Sequence, residues 1–159
     1  MASVNTLGRQ LKSERGAELI EFALILPLLL LIMLGIVDFG FMFQRYEVLT
    51  NAAREGARVA VLPGYTTADV QARVCAYVQT GGVPLTGACP NPGNPAIVVT
   101  DVPIPMGAGT PLEGKRVLVT FNHTYMFVGP IAGLFSGTFT TTFPITSVAI
   151  MRNELASAP

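Results

Sequence analysis

Between residues 22 and 43 the chain holds 22 residues and one charge, Asp38. As a helix this run extends about 33 Å, enough for a hydrocarbon core of roughly 30 Å. Pro27, near its start, is tolerated in a membrane helix. Arg9, Lys12 and Arg15 precede the run against Glu14 alone. That excess predicts a cytoplasmic N-terminus and an exported C-terminal part. A cleaved secretory signal is the competing reading. Aromatics, Asp38 and Arg45 follow the apolar run, however, where a small-residue cleavage site would be needed. The pattern favours an anchor.

Helical character continues past the membrane exit, because no proline follows until Pro63-Gly64. One helix is predicted from about Ala17 to Leu62, its first half in lipid. On its second half Ala52, Gly56 and Ala60 recur every four residues, with Ala53 and Ala57 beside them. A mid-helix glycine costs about 1 kcal/mol relative to alanine, so Gly56 is read as a site of close packing. Its partner is either the protein's own C-terminal domain or the helix of a neighbouring subunit.

A second, short helix is predicted in TTADVQARVCAYVQTGG. Thr66 or Thr67 caps it, Val70, Val74 and Tyr77 or Val78 line one face, and Gly81-Gly82 ends it. Eleven of the twelve prolines lie after Leu62, so strands and turns are expected beyond the second helix. AIVVTDV, KRVLVTFNHTY and TFTTTFPITSVAIM are rich in β-branched and aromatic residues. In the middle segment Val117, Val119, Phe121 and Tyr125 share one face, opposite Arg116, Thr120, Asn122 and Thr124. The fold class is therefore α+β: a long N-terminal helix and a small three-strand antiparallel sheet, one face covered by helix. Pro144 marks the Thr-rich third segment as an exposed edge in part.

Half the residues are hydrophobic and 13% are charged, an apolar balance for a soluble protein. The net charge is zero, split into +2 before Gly16 and −2 from Ala17 onward. No basic patch suits nucleic acid. His123, the single histidine, sits on the Val119–Phe121 face and reads as structural. MGAG at 106–109 lacks the lysine and helix of a phosphate loop. Asp101 and Glu113 bracket a Pro/Gly loop and read as solvated acids. Enzymatic chemistry, a metal site and a cofactor are not expected. Cys75 and Cys89 both fall on the predicted exported side, where oxidising conditions favour a bridge over two separate buried thiols. It would close a loop of 15 residues, worth about 3 kcal/mol in the chain-entropy model.

Glu18 and Glu21 stand where the apolar run begins. A basic leader, Gly16, and a glutamate at the fifth position counted from Ala17 form the processing pattern of type IV pilin-like proteins. Gly8 does not fit, because Ser13 would take the fifth place. The pattern runs into GAELIEFALILPLLLLIMLGIVDFGFMFQRYEVLTNAAREGARVAV, which resembles the TadE-like family of minor pilins or pseudopilins of the bacterial tight-adherence (Tad/Flp) pilus. The matching residues are Gly16, Glu21-Phe22-Ala23, Pro27, Asp38-Phe39-Gly40 and the stretch from Asn51 to Arg58. Phe22 and the large C-terminal region argue against the major fibre subunit.

The resemblance implies cleavage between Gly16 and Ala17 by a prepilin peptidase and assembly through the N-terminal helix, with roles in pilus biogenesis and adhesion. Glu21, about 7 Å along the helix from the new terminus, would meet the Ala17 amine of a neighbour. The expected division is a cytoplasmic leader at 1–16, a helix at 17–62 spanning the membrane at about 22–43, and an exported α+β domain at 63–159. The expected location is the bacterial inner membrane in a single pass, or a surface pilus. Implied partners are other pilin or pseudopilin subunits, the prepilin peptidase, inner-membrane pilus assembly proteins and membrane lipid. The rival readings are an unprocessed single-pass anchor carrying an extracytoplasmic binding domain, and an anchored enzyme.

Overall fold

The computed structural model describes residues 4–90, 92–105, 111–135 and 142–153. The MGAG segment and residues 138–141 lie outside them. Helix α1 runs without a break from Val4–Ala60, with Pro27 inside it. It begins earlier than expected, in the segment read as a leader. The physical reason is local: residues 4–26 contain no proline, and Gly8 and Gly16 cost only about 1 kcal/mol each. The helix stops at Ala60, where Leu62 N–H bonds back to the Val59 carbonyl at 3.1 Å, and Gly64 then takes a φ of 85°.

Helix α2 (Thr67–Thr80) starts at a complete capping box: the Thr66 hydroxyl accepts from Asp69 N–H while the Asp69 carboxylate accepts from Thr66 N–H at 2.8 Å. Val70, Val74, Cys75 and Val78 are its buried face, and Tyr77 points outward. Three strands follow, β1 (Ala96–Ile104), β2 (Leu112–Thr124) and β3 (Thr142–Arg152), in the antiparallel order β1-β2-β3. Pro144 sits opposite Asn122 on the edge strand β3, where a missing N–H does not interrupt the sheet's interior. Helix α3 (Val128–Phe135) interrupts the region expected to hold only strands and turns. Pro130 does not forbid it, because it falls in the first turn, where no intrahelical N–H bond is lost.

The described residues divide into two compact units, 4–39 with 126–135, and 40–125 with 142–153. In the second unit, one face of the sheet supplies Ile97, Val117, Val119, Phe121 and Ile145 to the core, against Leu49, Ala52, Ala53 and Ala57 of α1 and the buried face of α2. Ser147 donates to Thr50 at 3.3 Å, and Gln71 donates to the Ile97 carbonyl at 3.1 Å, tying both helices to the sheet. Cys75 and Cys89 form a disulfide with Cα atoms 6.0 Å apart, fastening α2 to the loop that precedes β1.

Gly56 lies within this core. A Cβ there would collide with Val74 and stand 3.3 Å from Val117. Of the two packing partners the sequence allows, the structure supplies the protein's own domain. Gly56→Leu should therefore lower stability by about 1–3 kcal/mol through overpacking, read as an earlier melt of the detergent-solubilised protein. An unchanged melt would mean that α2 does not approach α1 so closely. Cys75→Ser should also melt earlier, by about 3 kcal/mol on the loop-entropy argument. Free alkylation of both thiols in unreduced wild-type protein would contradict the bridge.

Candidate functional site

The candidate surface is the N-terminal part of α1 from Gly16 onward. Gly16 has open space where a Cβ would stand, and Ala17, Glu18 and Glu21 are exposed. Three residues apart, the two glutamates are neighbours on one side of the helix. Neither has a hydrogen bond or ion pair among the described residues. The apolar residues that follow are turned outward all around the helix: Leu24 is 76% exposed, Leu28 62% and Ile36 69%. An uncovered apolar surface of this extent belongs in lipid or against other protein, not in water. Among the described residues this is the one helix long and apolar enough to cross a membrane.

Asp38 departs from that pattern. Its side chain is 2% exposed. Both carboxyl oxygens accept backbone bonds from the start of α3: Met126 N–H at 3.1 Å, Phe127 N–H at 2.9 Å and Val128 N–H at 2.7 Å. The first N–H groups of a helix have no partner within it. Phe127 cannot cap α3, so a carboxyl group from another helix does so. Val128 also packs near Gly35, almost one turn earlier on α1, where a Cβ would stand in ordinary contact at 3.8 Å.

Within the second unit, α1 is joined to the end of β2 by polar and aromatic contacts. The Arg45 guanidinium donates to His123 Nδ1 at 2.6 Å and lies 5.4 Å from the centre of the Phe121 ring. Arginine has no acceptor, so His123 Nδ1 carries no proton and accepts. His123 also meets Tyr125 edge-on at 5.3 Å. These contacts give the histidine a structural role.

Further along, Glu55 accepts from Arg58 on its own helix at 3.0 Å and from Arg73 of α2 at 2.9 Å. Hydrogen bonds from Arg58 first and Arg73 second hold its carboxyl down at about 2, against an ordinary 4.5. Beside this clamp an open cavity of about 480 Å³ lies between Glu47 and Asn51 on α1 and Tyr77 and Thr80 on α2. Among the described residues, no group of three or more His, Cys, Asp or Glu side chains could hold a metal ion.

Residues 16–58 match the family model described as TadE-like protein. They form a TadE-like segment. The resemblance read from the sequence holds over that span. Comparison with curated proteins and with solved structures gave no match.

The TadE-like segment divides into two kinds of position. From Gly16 to Val37 its apolar side chains face outward, and Gly16, Ala17 and Glu21 stand together at one end. From Leu49 to Arg58 its small residues Ala52, Ala53, Gly56 and Ala57 are buried in this chain's own domain, while Glu55 and Arg58 form two of the three members of the clamp. Gly56, expected to serve close packing in assembly, is here buried beside Val74 and Val117 of its own domain. In the sequence Asp38 belongs to the Asp38-Phe39-Gly40 match and is isolated as the one charge of the apolar run. That isolation was itself the signal, because an acidic group at membrane depth needs a partner.

The depressed Glu55 carboxyl makes an acid-stability prediction. Its stabilisation should be fully present above its ordinary value of 4.5 and lost as pH falls toward about 2. The two guanidinium side chains are 63% and 56% exposed, so solvent screening keeps the effect modest. Wild type should melt above Glu55→Gln at neutral pH, and the two melting temperatures should converge below pH 4.5. A gap independent of pH would assign the difference to packing.

Proposed function

We propose that this chain is a minor pilin or pseudopilin of a Tad-type pilus, cut between Gly16 and Ala17 and assembled through its N-terminal helix. The observation that carries the reading is the coincidence of the TadE-like match with a helix whose outward surface is apolar and whose Glu21 has no partner among the described residues. Before cleavage, α1 is a single-pass anchor in the inner membrane, with the leader cytoplasmic and the α+β domain exported. Cleavage by a prepilin peptidase removes Arg9, Lys12 and Arg15 and creates an amine at Ala17.

In a packed bundle of such helices the Glu21 carboxylate is drawn out of water and needs a cation. The amine of a neighbouring subunit supplies it. Peptidase, inner-membrane assembly proteins and other pilin subunits are then successive partners of one surface, and the chain does no chemistry of its own. Gly56 affects assembly through the stability of the domain that α1 carries.

Glu21→Ala should leave cleavage intact, because the scissile bond is untouched, and should abolish incorporation into pili. Glu21→Gln should behave like alanine if charge is what matters. Glu18→Ala, on the neighbouring position, should assemble almost normally. Gly16→Leu should block cleavage and leave the chain as a membrane anchor. Quantifying the protein in sheared pilus fractions reads all four variants. Equal and undiminished incorporation of Glu18→Ala and Glu21→Ala would remove the ion pair from the account.

A further inference from the structure

We propose that α3, with Met126 and Phe127 ahead of it, is a second membrane-contacting element, seated in the extracytoplasmic leaflet and strapped to the spanning helix by Asp38. The proposal rests on the reading of α1 as a membrane span and goes beyond it. Three observations converge.

The first is depth. From Phe22 to Asp38 the helix rises about 24 Å, which is less than the roughly 30 Å of a hydrocarbon core. Charges resume only at Arg45. Asp38 therefore lies inside the apolar layer, and its three bonds hold residues 126–128 at the same level.

The second is composition. No Asp, Glu, Lys or Arg occurs between Arg116 and Arg152, and α3 itself reads VGPIAGLF. Met126 is 60% exposed. A short helix without a polar side chain, led in by Met126 and Phe127, suits an apolar layer better than water.

The third is the capping itself. In water, the first N–H groups of α3 could bond to solvent. In lipid each unsatisfied group is costly, and the donors must be met from within the protein. Asp38 meets the Val128 N–H and those of Phe127 and Met126 just ahead of it with a side chain that is itself buried. A soluble protein partner could not reach a surface fixed below the lipid boundary, so the occupant is the bilayer.

The chain contains no tryptophan, so a single introduced one reports its own surroundings. Full-length Met126→Trp, reconstituted in phosphatidylcholine vesicles brominated near the headgroup end of the acyl chains, should lose most of the fluorescence it shows in unbrominated vesicles. Ile32→Trp, in the middle of the span, serves as the insertion control and should be quenched by lipid brominated deep in its chains. Adding Asp38→Ala to Met126→Trp should relieve the quenching while leaving that of Ile32→Trp unchanged. Unquenched Met126→Trp beside quenched Ile32→Trp would overturn the proposal and leave the span standing. Unquenched Ile32→Trp would overturn the span and the proposal with it. Quenching of Met126→Trp that persists without Asp38 would remove the strap.

Discussion

A single uninterrupted helix has to serve two surroundings, and the distribution of side-chain size along α1 is what permits it. Over residues 19–37 large aliphatic and aromatic side chains are presented outward, where lipid or another subunit must cover them. Over residues 49–60 alanines and one glycine replace them on the inward face, and α2 and β2 come close enough to seal a core. Neither half works with the other's residues. Bulky side chains at 52, 53, 56 and 57 would hold the sheet away, and small ones at 24, 28 and 36 would leave little apolar surface to anchor. The remaining elements are arranged around this division. The capping box starts α2 where Val70 and Val74 can reach Gly56, and the disulfide and the Glu55 clamp keep α2 in place.

Asp38 marks the point at which the outward surface stops being uniform. A lone acid in an apolar run is costly unless bonded, and here its cost is offset by three backbone donors at the entry to α3. Each side solves the other's problem, so neither Asp38 nor α3 is readily explained alone.

Local signals carried much of the architecture. The apolar run, the Thr66–Asp69 capping box and the alternation from Val117 to Phe121 each depend on neighbours in sequence, and α1, α2 and the three-strand sheet follow from them. The elements that escaped depend on distant residues. Helix α3 has Gly129, Pro130 and Gly133 in its sequence and a cap that comes from a residue 88 to 90 positions away. Nothing within eight residues announces it. The early start of α1 follows from the proline-free stretch at 4–26, which lets the helix run on through the basic residues. At the candidate site, Gly16, Ala17 and Glu21 are proposed from a local pattern. Which surface Gly56 meets was not legible, because a small residue records a close approach and not the identity of what approaches.

The central claim is that the TadE-like helix is released from its leader to enter a filament. Its most direct test is the mass of the mature N-terminus, measured on protein recovered from the membrane and from sheared surface fractions. The account predicts a chain beginning at Ala17 in the surface fraction. A chain that still carries Arg9, Lys12 and Arg15 wherever it is found would contradict it, and would make the molecule a permanent single-pass anchor.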